Sequence, residues 1–333
     1  MKTLQRQPAK TSTLSVVILL VFTGIVALLL LNRQFVIDTV RAAQFTPSAK
    51  ITAIEGDLAL SSEAKRLFAA SQPRIEPAEV FNTDCKQASE TNNPILGCYT
   101  RQTIYIYDVT NPKLDGIEQT TAAHELLHAV YERLPAKDRR VIDGALQQAY
   151  ERLKTEDLVR RMEFYKKTEP GQELNELHSI LGTEFDDLGD VLETHYKKYF
   201  TSRSKVVAFN KKYNSAFNEI SAKMKQLLES INSSVTVINQ RIKTHNQAVK
   251  QLEIDQKAFV QKNRSGGFTS TAEFNAEQNA LNARAATLNA ERTRISEAID
   301  VSNRERDEYN TLVNEYNELS KSMNSSLAPK PDL

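Results

Sequence analysis

The chain has no tryptophan, only ten glycines and ten prolines among 333 residues, and no surplus of either charge. Each shortage narrows the choice. With 43 basic residues against 42 acidic ones, the formal net charge is +1. Nothing in that balance suggests a nucleic-acid binder, which would show a basic surplus or a basic stripe, so no nucleic-acid partner is expected. Few glycines and prolines mean few forced breaks, and Asn, Gln, Glu and Ala crowd the C-terminal third. Long helices are expected there. Hydrophobic residues at 40 % suffice for a core, and the length allows one large domain or two ordinary ones.

What is present begins with an uncharged apolar run of 18 residues, Leu14 to Leu31. That length crosses a bilayer core as a helix. Lys2, Arg6 and Lys10 precede it without any acid, whereas Arg33, Asp38 and Arg41 follow it. The positive-inside bias keeps 1–11 as a cytoplasmic tail, makes 12–32 a single-pass anchor and exports the remainder. A cleaved signal peptide is the rival, but Ala42-Ala43 lies about ten residues beyond the apolar end, too far for a cleavage site. Without further targeting features, a bacterial envelope is the expected setting. In an exported chain the two cysteines, Cys85 and Cys98, are expected to form a disulfide rather than remain buried thiols.

Residues 32–50 read as a juxtamembrane stalk. SSEAKRLFAAS (61–71) carries a serine cap, an early Glu63 and an apolar face of Ala64, Leu67 and Phe68, and is expected to be helical. TIYIYDV (103–109) alternates strictly and is a strand. Asn111-Pro112 and Asp115-Gly116 are turn signals, after which Thr120-Thr121 opens a helix. Helical patterning continues through 137–166, breaks near Glu169-Pro170-Gly171, and resumes from Glu173 to Phe200 with interruptions at Gly182 and Gly189. From Ser204 onward Tyr213, Phe217, Ile220, Met224, Leu227 and Ile231 keep 3–4 spacing. The pattern skips once and resumes at Val235, a stutter in the heptads, with His245 as a polar seam residue. KNRSGGFTSTAEF (262–274) is a turn and helix restart. Residues 203–326 are thus expected to form an antiparallel coiled-coil hairpin, with 327–333 as a flexible tail.

The chemistry concentrates in HELLH. On a helix His124 and His128 lie one above the other, both able to aim at one ion, while Glu125 sits one residue round, placed to contact water. Zinc in such a site acidifies water, and the carboxylate can take the proton and return it to a leaving amine. The flanking residues 122, 123, 126, 127, 129 and 130 are uncharged, so the helix should be buried. A buried histidine pair is costly unless metal or hydrogen bonds satisfy it. Two core histidines capped by other groups are the alternative.

His124-Glu125-Leu126-Leu127-His128, with uncharged flanks and a strand before it, resembles the zincin metallopeptidases. The resemblance implies an α+β fold over 44–202, mostly helical with a small sheet. It also implies Zn2+ on His124 and His128 and Glu125 as general base. An edge strand would bind peptide or protein substrate, and this falls on Ile104, Tyr105, Ile106 and Tyr107. Metzincins need Gly at 131 and His at 134, where this chain has Tyr131 and Leu134. NELHSILGTE (175–184) is similar to the helix that supplies the glutamate ligand in thermolysin-type gluzincins. That makes Glu176, 48 residues after His128, the expected third ligand, with Glu173, Glu184 and His178 open. Ile180 stands where the family places an acid that orients the first histidine. His178, His195, Tyr196 and Tyr199 are candidates to stabilise an oxyanion.

The expected function is a membrane-anchored, extracytoplasmic zinc peptidase whose coiled coil positions it or recruits a protein partner. An inactive zincin-like scaffold of an envelope complex and a cell-wall amide hydrolase are the alternatives. Metal content separates the first alternative, and substrate tests the second.

Overall fold

A computed structural model describes residues 13–85 and 95–326 of the protein. The tail 1–11, the first residue of the expected anchor, and 327–333 lie outside the described residues. The chain divides into two compact units: residues up to Ser215 together with those from Ser320, and Ala216–Leu319.

The first unit opens with α1 (Thr13–Leu31) and α2 (Arg33–Gln44), which meet at Asn32. Among the described residues no single helix is long and apolar enough to cross a membrane. Val16–Leu31 and Arg33–Gln44 meet that requirement only together, bent by 74°. The expected stalk is therefore structured. It is α2 and the start of α3 (Ala49–Asp57), whose Ser48 cap accepts from the Ile51 amide. α4 (Ser62–Ala70) has its serine cap at Ser61 as expected, and buries Ala64, Leu67 and Phe68.

A three-stranded sheet follows, in the order β1-β3-β2: β1 (Arg74–Glu76), β2 (Gly97–Thr100) and β3 (Thr103–Tyr107). β1 runs parallel to β3, and β2 pairs with it antiparallel, Gly97 opposite Ile106 and Cys98 opposite Tyr105. Arg101 and Gln102 turn the β2–β3 hairpin with φ of 50° and 59°, the left-handed pair that suits a two-residue hairpin loop. α5 (Ala78–Asp84) ends at Cys85, which is disulfide-bonded to Cys98 of β2 across a Cα–Cα distance of 6.0 Å.

The sheet and the helices α3, α4 and α9 (Glu173–Glu184) enclose α6 (Ile117–Glu132). The uncharged residues flanking the two histidines are all buried in the core, as their character requires. α9 approaches α6 closely at Gly182, where a Cβ would lie 2.5 Å from Leu127 Cδ1 and 2.8 Å from Tyr196 Cε1. Gly182 therefore does not interrupt a helix; it permits contact between two. The interruption lies after Glu184, and Gly189, at φ +81°, precedes α10 (Asp190–Tyr196). The expected continuous helix over 137–166 is two, α7 (Ala136–Leu153) and α8 (Glu156–Thr168). Thr155 makes the break by accepting from the Leu158 amide at 3.2 Å, a local cap that competes with helix propagation.

The second unit consists of parts of α11 (Arg203–Arg264) and α12 (Thr271–Ser322). The two run antiparallel: Phe217 packs on Tyr316, Arg241 binds Glu291, His245 Nε2 lies 3.1 Å from the Leu288 carbonyl, and Phe259 packs on Phe274. Ile220, Ile238, Leu252, Ile295 and Leu312 are buried between them. The expected stutter is absent. Val235 is 44 % exposed, and half-buried Ser234 takes its place at the seam, which keeps the heptads regular.

Candidate metal centre

α6 is apolar on the sides that meet the sheet and α9, which leaves His124, Glu125 and His128 facing a cavity of ≈ 550 Å³. Its other walls come from β2 (Gly97, Tyr99) and α8 (Phe164, Tyr165). Glu176, in the first turn of α9, enters from the side opposite the histidines. Its Oε1 is 3.4 Å from His128 Nε2 and its Oε2 is 3.7 Å from His124 Nε2. One ligand atom from each of the three residues lies within 4.8 Å of the other two. A tetrahedral ion with bonds of about 2.0–2.1 Å spaces its ligand atoms by about 3.3 Å. The cluster could therefore hold a metal ion with small adjustments.

The surroundings fit that role. His128 Nδ1 is 3.0 Å from Asn175 Oδ1 and 3.3 Å from Ser179 Oγ, so that its Nε2 is turned toward the cluster. Ile180, at the position expected to orient a histidine, is instead in the core, and Asn175 orients the second histidine. Burial opposes the charge on Glu176, but the two histidines outweigh it and hold the carboxyl below its ordinary range. Burial pushes the Glu125 carboxyl up, against the pull of both histidines.

The alternatives for the third position are occupied elsewhere. Glu173 accepts from the Gly171 amide at 2.8 Å, closing the turn before α9. Glu184 grips Arg161 through two bonds of 2.6 and 2.7 Å. His178 Nε2 is 2.8 Å from His195 Nε2.

Two further expectations are corrected. His178, His195 and Tyr196 do not line the cavity. They form a buried aromatic stack in which Tyr196 donates to the His178 carbonyl at 2.7 Å, so none is placed to reach an oxyanion there. Tyr199 belongs to the same stack. Two tyrosines do line the cavity, Tyr99, whose hydroxyl accepts from Arg133 at 2.8 Å, and Tyr165, whose pKa burial and then the neighbouring Glu176 carboxylate push up. Ile104, Tyr105, Ile106 and Tyr107 form the strand expected, but β3 is central and both its edges are paired. The strand bordering the cavity is β2, whose outer edge has no strand partner among the described residues.

Gly97 is a site residue that the sequence reading passes over. A Cβ there would lie 2.6 Å from Thr121 Cγ2 and 2.7 Å from Glu125 Oε1, so only glycine lets β2 cross α6 at the Glu125 carboxylate. A glycine inside a short strand is the available signal, since it marks close backbone approach. Compared with models of known families, with curated proteins and with solved structures, the chain finds no match.

Proposed function

We propose that the chain is a membrane-anchored, extracytoplasmic zinc peptidase of the zincin type. One observation carries this reading: His124, His128 and Glu176 converge from two helices, with Glu125 beside them at a cavity bordered by β2, whose outer edge has no strand partner among the described residues. These three residues would hold the zinc, which when bound supplies Lewis-acid polarisation of a carbonyl and acidifies water. Glu125 takes a proton from the attacking water on its carboxylate and delivers it to the leaving amine. The outer edge of β2 pairs with the extended substrate backbone, which is how a free strand edge captures a peptide. Tyr165 donates its hydroxyl toward the oxygen that gains charge. The hairpin, read as a coiled coil, positions the peptidase or recruits a protein.

The test is Glu125→Gln in the full chain, assayed on a peptide mixture and on cell-wall fragments. The substitution keeps the shape of the side chain and removes the base. Metal content is expected to persist while peptide cleavage falls by about 10²–10⁴-fold. Peptide cleavage unchanged in the variant would sink the reading, and cleavage confined to cell-wall amides would reassign the substrate.

A further inference from the structure

α2 is amphipathic in the reverse of the usual sense. Its protein-facing side is polar. Asp38 is buried and accepts from Arg133 Nε at 2.9 Å and Nη2 at 2.8 Å, and Gln34 donates to it at 3.0 Å. Arg41, one turn on, donates to the carbonyls of Ala70 at 2.7 Å and Gln102 at 2.9 Å. The opposite side carries Val36, Ile37 and Val40, flanked by Phe35, and these four are 37 to 58 % exposed. On a wheel of 3.6 residues per turn Val36 and Val40 lie across the helix from Asp38. With the polar side committed to the protein, the apolar side is the one left for a partner.

We propose that this partner is the surface of a lipid bilayer, with α2 lying in the interface and Val36, Ile37 and Val40 at the headgroup–acyl boundary. The proposal rests on the anchored reading of Leu14–Leu31, and its warrant is continuity. Every residue of α1 from Val16 to Leu31 is exposed and all but Thr23, Gly24 and Ala27 are large apolar residues, and α2 begins after a single intervening residue, Asn32, and a bend of 74°. The two helices meet the requirement for a span only together; with the 18 uncharged residues Leu14–Leu31 taken as the anchor near the bilayer normal, a helix bent by that angle from it runs close to the bilayer plane. An amphipathic helix in that position sinks its apolar face about 5–10 Å into the boundary region. The other side of α2 is tied by the Asp38–Arg133 pair to the C-cap of α6. The bilayer surface and the histidine-bearing helix are thus joined through a buried ion pair, which seats the metal unit on the membrane.

The experiment uses the full chain in vesicles of phosphatidylcholine and phosphatidylglycerol, with nitroxide labels at Ile25→Cys, Val36→Cys or Val40→Cys, one at a time. The native cysteines are bonded to each other and take no label. Depth is read from the contrast between collisions with oxygen and with a water-soluble nickel chelate. The expected result is a deep label at 25 and shallow burial of about 5–10 Å at 36 and 40. A deep label at 25 with water-exposed labels at 36 and 40 would overturn the α2 proposal and leave the anchor standing. A water-exposed label at 25 would overturn both. Labels at 36 and 40 shielded from oxygen and nickel alike would mean that protein, a second copy or another chain, covers this face, and the lipid proposal would fail.

Discussion

At Gly97 the absence of a side chain decides where the Glu125 carboxylate can sit, because a Cβ would occupy the space of Oε1. Gly97→Ala is expected to push Glu125 aside and lower peptide cleavage by about 10²-fold, the usual cost of a misplacement near 1 Å. Metal content should be unchanged, and equal cleavage by the two proteins would show that β2 does not hold the base in place. His195 makes a different demand. Burial and then Lys198 bring its pKa down to about 4, against an ordinary value near 6.5. The unfolded chain therefore binds the extra proton between those values. Stability from this group is complete above about pH 6.5 and drains away as pH falls toward about 4, by on the order of 3 kcal/mol. His178, Lys198, Asp138 and Tyr199 face the ring and set its surroundings. Denaturant melts of the protein and of His195→Gln at pH 7 and pH 4.5 should show the stability gap between them closing; a constant gap would mean that His195 titrates normally. Of these residues, the sequence spoke clearly for His124, Glu125 and His128, since their spacing is itself the geometry. Glu176 was legible as the first of four candidates, with Glu173, Glu184 and His178 open until their partners at Gly171, Arg161 and His195 were known.

At the scale of elements, β2 carries the burden of the proposed substrate edge with only four residues. Two devices brace it: the Cys85–Cys98 bond at one end, and at the other a turn at Arg101-Gln102 whose Gln102 carbonyl is held by Arg41. Breaking the disulfide, in Cys85→Ser with Cys98→Ser, is expected to lower stability by about 3 kcal/mol on the chain-entropy model. The melting temperature should fall correspondingly, and no change would mean that the hairpin is held by other means. Strand β3 was legible from its alternation and α4 from its cap. β2 was not, because GCYT is too short to show a period, and it was β2 that took the cavity side of the sheet. α2 was hidden for another reason: its polar side is buried and its apolar side exposed, which inverts the pattern by which surface helices are recognised.

Across the whole molecule, the two units differ in how they earn their order. The first has a core closed by α6 and α9, whereas the second buries single residues along a seam at regular heptad spacing. Replacing a seam residue, as in Ile238→Asn, should cost about 2–4 kcal/mol in the second unit through lost apolar burial and an unpaired amide. Metal affinity, which belongs to the first unit, should be unaffected. Hydrogen exchange reports the first effect and metal titration the second; loss of metal in this variant would show the units to be coupled. The hairpin was plain in the sequence because its repeat is long. The boundary at Ser215 was not, because α11 continues through it without a break.

The central claim is that His124, His128 and Glu176 bind one zinc ion. Its most direct test is metal stoichiometry of the full chain by mass spectrometry, beside His128→Ala, Glu176→Ala and Glu173→Ala. The account predicts about one zinc per chain in the unmutated protein and in Glu173→Ala, none in His128→Ala, and an affinity weakened at least about 10-fold in Glu176→Ala, since an outer-shell change alone costs 10–100-fold. An unmutated chain that takes up no zinc after loading, or a Glu176→Ala variant that binds it as tightly as before, would contradict the account.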